Sequence, residues 1–195
     1  FYGPSDVLVL ADASADARLV ALDLLAQGEH GPGAPVVAVS DSPGFLDALA
    51  AQLEALAPER PHSDPAAFVL ARAESLTEAL AFAEAFAPEH LELAGAGAER
   101  LARRVRSAGC VFVGRNGGTA FGDYVAGSNH CLPTGGSARF ASGLSPRAFR
   151  RRLSEVHIGD AAPALAAAGA PIARAEGFVV HAESMEARVG ENAPS

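Results

Sequence analysis

An open, mostly parallel α/β sheet with helices on both faces is the fold class this sequence predicts. Three observations carry it. Short, β-branched apolar runs recur through the first 144 residues, capped helical segments separate them, and no convincing strand pattern follows. The chain is accordingly read as an α/β domain over 1–144 and a helical C-terminal tail over 145–195.

The elements follow in order. Residues 7–11 (Val-Leu-Val-Leu-Ala) form an uninterrupted apolar run before Asp12, the profile of a strand buried on both faces. Ser14 is the expected N-cap of a helix reaching Gln27, with Leu19, Leu22, Leu24 and Leu25 on its apolar side; Gly28 and Gly31-Pro32 close it. Residues 35–40 give the second strand, and Ser42-Pro43 opens a helix to Leu56 with proline in the first turn. After a loop over 58–64, residues 67–70 give the third strand. Ser75 caps a helix that runs to Phe86 and stops at Pro88. A helix over 98–107 and a fourth strand over 109–114 precede a glycine-rich segment to about Ser142. Beyond Ser145-Pro146, helices broken at Gly159, Gly169 and Gly177 are expected, with one short strand possible at 178–180.

Composition excludes several function classes. At 195 residues the chain is long enough for a proper core. A formal charge of −8 argues against nucleic acid as a partner, because phosphate contacts need a basic face. All basic side chains are arginines, and those at 103, 104 and 106 and at 147 and 150–152 read as helix surfaces. No apolar run approaches the ~20 residues that span a bilayer, so no membrane partner is expected. Two cysteines, Cys110 and Cys131, are too few for a disulfide scaffold and fit a reducing compartment, the cytoplasm. The opening Phe1-Tyr2-Gly3-Pro4 lacks an initiator methionine and reads as the start of a fragment, a cleaved form or a truncated chain.

Chemistry concentrates in residues 122–133, where Asp123, Ser128, Asn129, His130 and Cys131 stand among glycines ahead of Pro133. The backbone is expected to bend there and present Asp123 and His130, as ligand and contact or as turn residues bonding their own backbone. Gln27 and His30 lie one helical turn apart, either as a polar helix terminus or as a ligand pair; spacing alone favours the terminus, because zinc prefers His, Cys and carboxylate to an amide. Glu89-His90 suits proton transfer, and the plain alternative is a turn with two solvated side chains. His181 alone reads as a surface residue, and His62 and His157 take no role. Cys110 reads as a buried strand residue, and Cys131, lacking a CxxC partner, as a structural thiol in preference to a ligand. Gly114-Arg115-Asn116-Gly117-Gly118 does not spell a dinucleotide fingerprint, so no cofactor site is read in this chain.

Together these pieces resemble histidinol dehydrogenase. The resemblance rests on Gly3-Pro4-Ser5-Asp6-Val7-Leu8, Gln27-Gly28-Glu29-His30-Gly31-Pro32, Ala87-Pro88-Glu89-His90-Leu91, Gly122-Asp123-Tyr124 with Ser128-Asn129-His130, Leu132-Pro133-Thr134, and Glu176 with His181 five residues on. It implies oxidation of L-histidinol to L-histidine in two NAD-dependent steps through an aldehyde. Gln27, His30, Asp123 and His181 would ligate Zn2+, which would grip the substrate's imidazole and amino nitrogens. His90 would take the hydroxyl proton and Glu89 would help a water attack the aldehyde, while Ser5, His130 and Glu176 would contact substrate. The family also implies a homodimer in which the tail reaches into the partner's site. Its N-terminal portion, with the nicotinamide contacts and part of the sheets, has no counterpart here. The resemblance therefore implies an incomplete Rossmann-like sheet, in one piece of a longer polypeptide or in a chain completed by a companion segment.

Two readings compete with this enzyme. One is a non-catalytic zinc- or imidazole-binding remnant or dimerisation module. The other is a zinc hydrolase using Glu89 as base, which needs a metal-bound water and no NAD.

Overall fold

The structure, a computed structural model, describes residues 3–31, 33–61 and 68–189. Pro32, His62 and Ala67 lie outside the described residues. The chain divides into two compact units, Phe1–Arg150 and Arg151–Ser195.

In the first unit the described residues form five parallel strands: β1 (Val7–Ala11), β2 (Val36–Ser40), β3 (Phe68–Arg72), β4 (His90–Ala94) and β5 (Cys110–Val113). Their order is β3-β2-β1-β4-β5, so the chain winds outward one way from β1 and then the other way from β4. That is the order of a Rossmann-like sheet up to its fifth strand. The sheet is parallel throughout, not merely for the most part. Alternate side chains of β1 serve opposite layers. Val7, Val9 and Ala11 pack with α1 (Ala17–Gly28) and α2 (Pro43–Leu56), while Leu8 and Leu10 pack with α3 (Leu76–Phe86) and the short α4 (Ala96–Glu99).

Local chemistry explains most boundaries. Ser42 and Ser75 cap α2 and α3 as expected, each accepting the N–H three residues on at 3.2 Å. The cap of α1 is Asp16, not Ser14: its carboxylate accepts from Arg18 and Leu19, while the Ser14 hydroxyl is committed to Asp12 at 2.6 Å. The helix expected over 98–107 shrinks to α4 and a 3-10 turn, Ala102–Arg104, because i→i+3 winding puts Ala98 and Leu101 on one line facing the core.

β4 is the strand that sequence patterning missed. Residues 89–90 read as a proton-transfer pair or, alternatively, as a solvated turn, but not as the start of a strand; His90 opens a buried strand whose hydrophilic residues, His90 and Glu92, share one face. The chain enters it through Ala87, which is fully buried and sits at φ 54° immediately before Pro88. That left-handed conformation is uncommon for a residue with a side chain.

The second unit is described by itself. Its helices α6 (Ala162–Ala175) and α7 (Val179–Glu186) pack through Ala170, Ala173, Ala182 and Met185, and Arg174 bonds Glu186 twice at 2.6 Å. Gly169 does not break α6; it lies where α7 crosses closely, and a Cβ there would sit 2.9 Å from the Met185 sulfur. Residues 178–180 are not a strand: Phe178 caps α7 and the two valines begin it, for no strand of this unit is available to pair with them among the described residues. Among the described residues no helix is long and apolar enough to cross a membrane.

Candidate active site

The predicted catalytic residues assemble at the amino-terminal ends of β1 and β4. Val7 and His90 are register partners, so the residues just before β1, Ser5 and Asp6, lie beside Glu89 and His90. A chain of side-chain bonds links three elements there. Gln27 Nε2, from the last turn of α1, donates to Ser5 Oγ at 2.9 Å, and Ser5 Oγ donates to Glu89 Oε2 at 2.6 Å. Glu89 and His90 are 6% and 4% exposed, so the solvated-turn alternative is set aside.

Asp6 organises this cluster, and pattern reading did not single it out. Its backbone N–H donates to Glu89 Oε2 at 3.3 Å, its carboxylate accepts the Glu89 N–H at 2.7 Å, and its carbonyl lies 3.2 Å from His90 Nδ1. The same carboxylate accepts the Gly135 N–H at 3.4 Å. Burial pushes the Asp6 carboxyl above its ordinary value, against the lowering effect of these two backbone donors. The available signal was an acid set directly against an uninterrupted apolar strand.

A second group of predicted residues faces an adjoining cleft of about 400 Å³, lined by His30, Asp123, Tyr124 and His130 with Ala26 and Glu29. Asp123 sits on α5 (Ala120–Tyr124), and its Oδ1 is 3.1 Å from His130 Nδ1. His30 Nδ1 faces the Gln27 carbonyl at 3.2 Å. α5 reaches its position because Gly122 has no side chain: a Cβ there would fall 2.5 Å from the Phe112 ring. The Phe112 ring in turn packs on His90, with centroids 5.9 Å apart.

The donor set suits a zinc ion. Each ring or amide bond above leaves one ligand atom over: Oε1 of Gln27, Nε2 of His30 and Oδ2 of Asp123. Among the described residues no three His, Cys, Asp or Glu side chains converge at metal-ligand spacing. In this unit the expected set contributes two such groups and an amide. His181 lies in α7 of the second unit, its ring 5.2 Å from that of Phe178, and Glu176 ends α6 in an exposed position.

The remaining candidates are placed plainly. Cys110 is half-buried in β5, where burial raises its thiol, and Cys131 is exposed. His157 is exposed and bonds Glu155 at 2.6 Å.

The opposite, carboxyl end of the strands borders a cavity of about 230 Å³ lined by Ser14, Ala94, Gly95 and Arg115 among others. Ligands of open α/β sheets ordinarily bind beyond the strands' carboxyl ends where the order reverses, here between β1 and β4. Asp12 takes the local donors there, accepting from the Ser14 N–H and hydroxyl, from the Ala98 N–H at 2.9 Å and from the Gly97 N–H. Burial opposes its ionisation, yet these donors together hold its carboxyl below the ordinary value. A nucleotide phosphate there would meet a carboxylate already holding the backbone donors.

The family described as histidinol dehydrogenase matches residues 1–189. The chain is 44% identical to the histidinol dehydrogenase of Aromatoleum aromaticum, over 96% of this chain and 44% of that one. It is 40% identical to that of Leifsonia xyli, over 98% of this chain and 46% of that one. The crystal structure of histidinol dehydrogenase from Elizabethkingia anophelis superposes with a TM-score of 0.77 at 32% identity, over 96% of this chain and 45% of that one. The chain thus spans a little under half the length of these relatives.

Proposed function

The chain belongs to the histidinol dehydrogenase family, and from that premise we propose that it is the metal- and substrate-binding part of a zinc-dependent oxidoreductase of histidine biosynthesis. The reaction is oxidation of L-histidinol to L-histidine in two NAD-dependent steps through histidinaldehyde. The observation that carries this reading is the bonded run Gln27–Ser5–Glu89 beside His90, next to the cleft shared by His30, Asp123 and His130.

On this reading Gln27, His30, Asp123 and a partner tail's copy of His181 hold Zn2+. The ion supplies Lewis acidity and a fixed anchor for the substrate's imidazole and amino nitrogens. The chain's own residues do the proton chemistry. With Nδ1–H held on the Asp6 carbonyl, His90 presents Nε2 as a base for the hydroxyl proton of the carbinol, whose hydride NAD would accept. In the second step Glu89, fixed by the Ser5 hydroxyl and the Asp6 N–H, takes a proton from the water that attacks the aldehyde carbon. The hydrate so formed would give its carbon-bound hydride to a second NAD and its remaining hydroxyl proton to His90, leaving the acid. Ser5, His130 and Glu176 orient the substrate. The nicotinamide contacts belong, on this reading, to the family's N-terminal portion.

A homodimer with exchanged tails suits the second unit. Its fully buried side chains are alanines, while Leu153, Val156, Leu165, Ile172, Phe178 and Val180 stay exposed. A surface of that kind needs a cover.

Histidinol turnover with NAD, paired with metal analysis, tests the proposal. His90→Ala should lower kcat by at least ~10²-fold with zinc content unchanged. Asp123→Asn or His181→Asn should strip the metal. Zinc lost in His90→Ala and kept in both others would mean that ligand and base have been exchanged. Zinc without any turnover would favour the non-catalytic module.

A further inference from the structure

Two carboxyl groups that the mechanism leaves unused face each other between α1 and β4. Glu92 is 4% exposed in the middle of β4, flanked in register by Val9 of β1 and Phe112 of β5. Asp23 of α1 is hydrogen-bonded to it, and the loop after β5 covers Asp23 so closely that a Cβ on Gly118 would lie 3.0 Å from its Oδ1. Glu92 Oε2 is buried with no hydrogen-bond donor beside it among the described residues.

Two carboxylates cannot bond each other without a proton between them. An ionised carboxylate, buried with one oxygen unpartnered and a like charge beside it, is the costly state; a neutral acid donating to its neighbour is the tolerable one. The charged groups lining the cavity at this end of Glu92 do not relieve the pair. Arg115 is bonded to Asp16 at 2.7 Å, and Glu99 is a further acid. Burial raises both Asp23 and Glu92, Glu92 the further, and each adds to the other's resistance to losing the last proton.

The placement of the pair gives it a consequence for the site. Asp23 precedes Gln27 by four residues, so both lie on one face of α1. Glu92 follows His90 by two residues, so both point to one side of the sheet. A helical turn of ~5.4 Å and two strand residues of ~6.6 Å are nearly matched lengths. The pair therefore stands one layer behind the Gln27–Ser5–Glu89 run and joins the same two elements.

We propose that Asp23 and Glu92 share one proton and that this bond is a positioning device, setting α1 with Gln27 and His30 against β4 with Glu89 and His90. The proposal rests on the reading of the site given above for its functional half, and on the burial and apposition of the two carboxyls for its proton.

The sign of the pH effect follows from linkage. Each folded carboxyl sits above its ordinary value, so the pair's stabilisation is full below about pH 4 and is lost as pH rises through the folded values. Glu92→Gln supplies a permanent amide donor to the Asp23 carboxylate. It should flatten the fall in unfolding temperature that the wild type shows from pH 5 to pH 9, while leaving zinc retention and KM for histidinol within about twofold. Glu92→Leu removes the donor; it should raise KM or zinc loss at least tenfold, with kcat for bound substrate less affected. An unfolding profile for Glu92→Gln that falls as steeply as the wild type overturns the shared proton. Equal zinc retention in Glu92→Gln and Glu92→Leu overturns the positioning role. If the wild-type full chain neither binds zinc nor oxidises histidinol, the reading of the site fails, and the pH profiles still decide the pair.

Discussion

Asp6 contributes three separate groups to the proposed catalytic pair: an N–H to Glu89 Oε2, a carboxylate to the Glu89 N–H and a carbonyl to the His90 ring. Because two of the three are backbone groups, the alignment of β1 with β4 delivers most of the geometry and the side chain locks it. Asp6→Ala leaves the buried Glu89 N–H without an acceptor. It should cost ~1–3 kcal/mol in urea unfolding, the usual penalty for an orphaned buried donor. Turnover should fall with it, since Glu89 loses its tether. An unchanged denaturation midpoint would show that solvent replaces the carboxylate and that the contact is dispensable. Ser5 is the neighbouring case, a small hydroxyl that both accepts from Gln27 and donates to Glu89, and it links a proposed metal ligand to the proposed acid–base pair.

Elements arrive at the site through tight local devices. α5 lies against Phe112 only because residue 122 has no Cβ, and Asp123 follows it directly. Gly122→Ala should push α5 off the ring, destabilising the fold by ~1–3 kcal/mol as overpacking does and weakening zinc retention in the same variant. Zinc retention equal to wild type would separate Asp123 from the packing of its helix. α3 and β4 meet at Ala87, held left-handed and fully buried ahead of Pro88. Ala87→Val should be destabilising by more than ~1 kcal/mol, since a β-branched residue tolerates that φ poorly and has no room, whereas Ala87→Gly should be near neutral. Thermal unfolding of the two variants side by side checks this. A valine variant as stable as the glycine one would count against strain at this junction.

At the scale of the whole molecule, the candidate site sits at the amino ends of the strands, while at the carboxyl ends, which open sheets ordinarily use, Asp12 already holds the backbone donors. The proposed chemistry thus lies at the end of the sheet opposite the usual ligand end. The second unit, with alanines inside and large apolar side chains outside, bears on the proposed tail exchange. Ile172→Arg together with Val180→Arg should convert a sedimenting dimer to monomer and release zinc with it, because His181 shares that tail. A dimer persisting with full metal content would assign those apolar side chains to something else.

The sequence by itself determined the elements whose signals are local. The apolar runs of β1 and β2, the serine caps of α2 and α3 and the proline stop after α3 are each fixed by neighbours within a turn or a few residues. Ordered motifs also named the family and its expected ligand and acid–base residues. The tertiary structure alone decided β4, whose hydrophilic His90 and Glu92 disguise a buried strand, and the cap of α1, which passed to Asp16 once Asp12 had claimed Ser14. It alone decided Asp6 and the Asp23–Glu92 pair, whose partners lie more than sixty residues away. The reason is physical: caps and breaks depend on short-range sterics and hydrogen bonds. Whether a carboxyl or an imidazole is buried depends on which distant strand or helix packs against it.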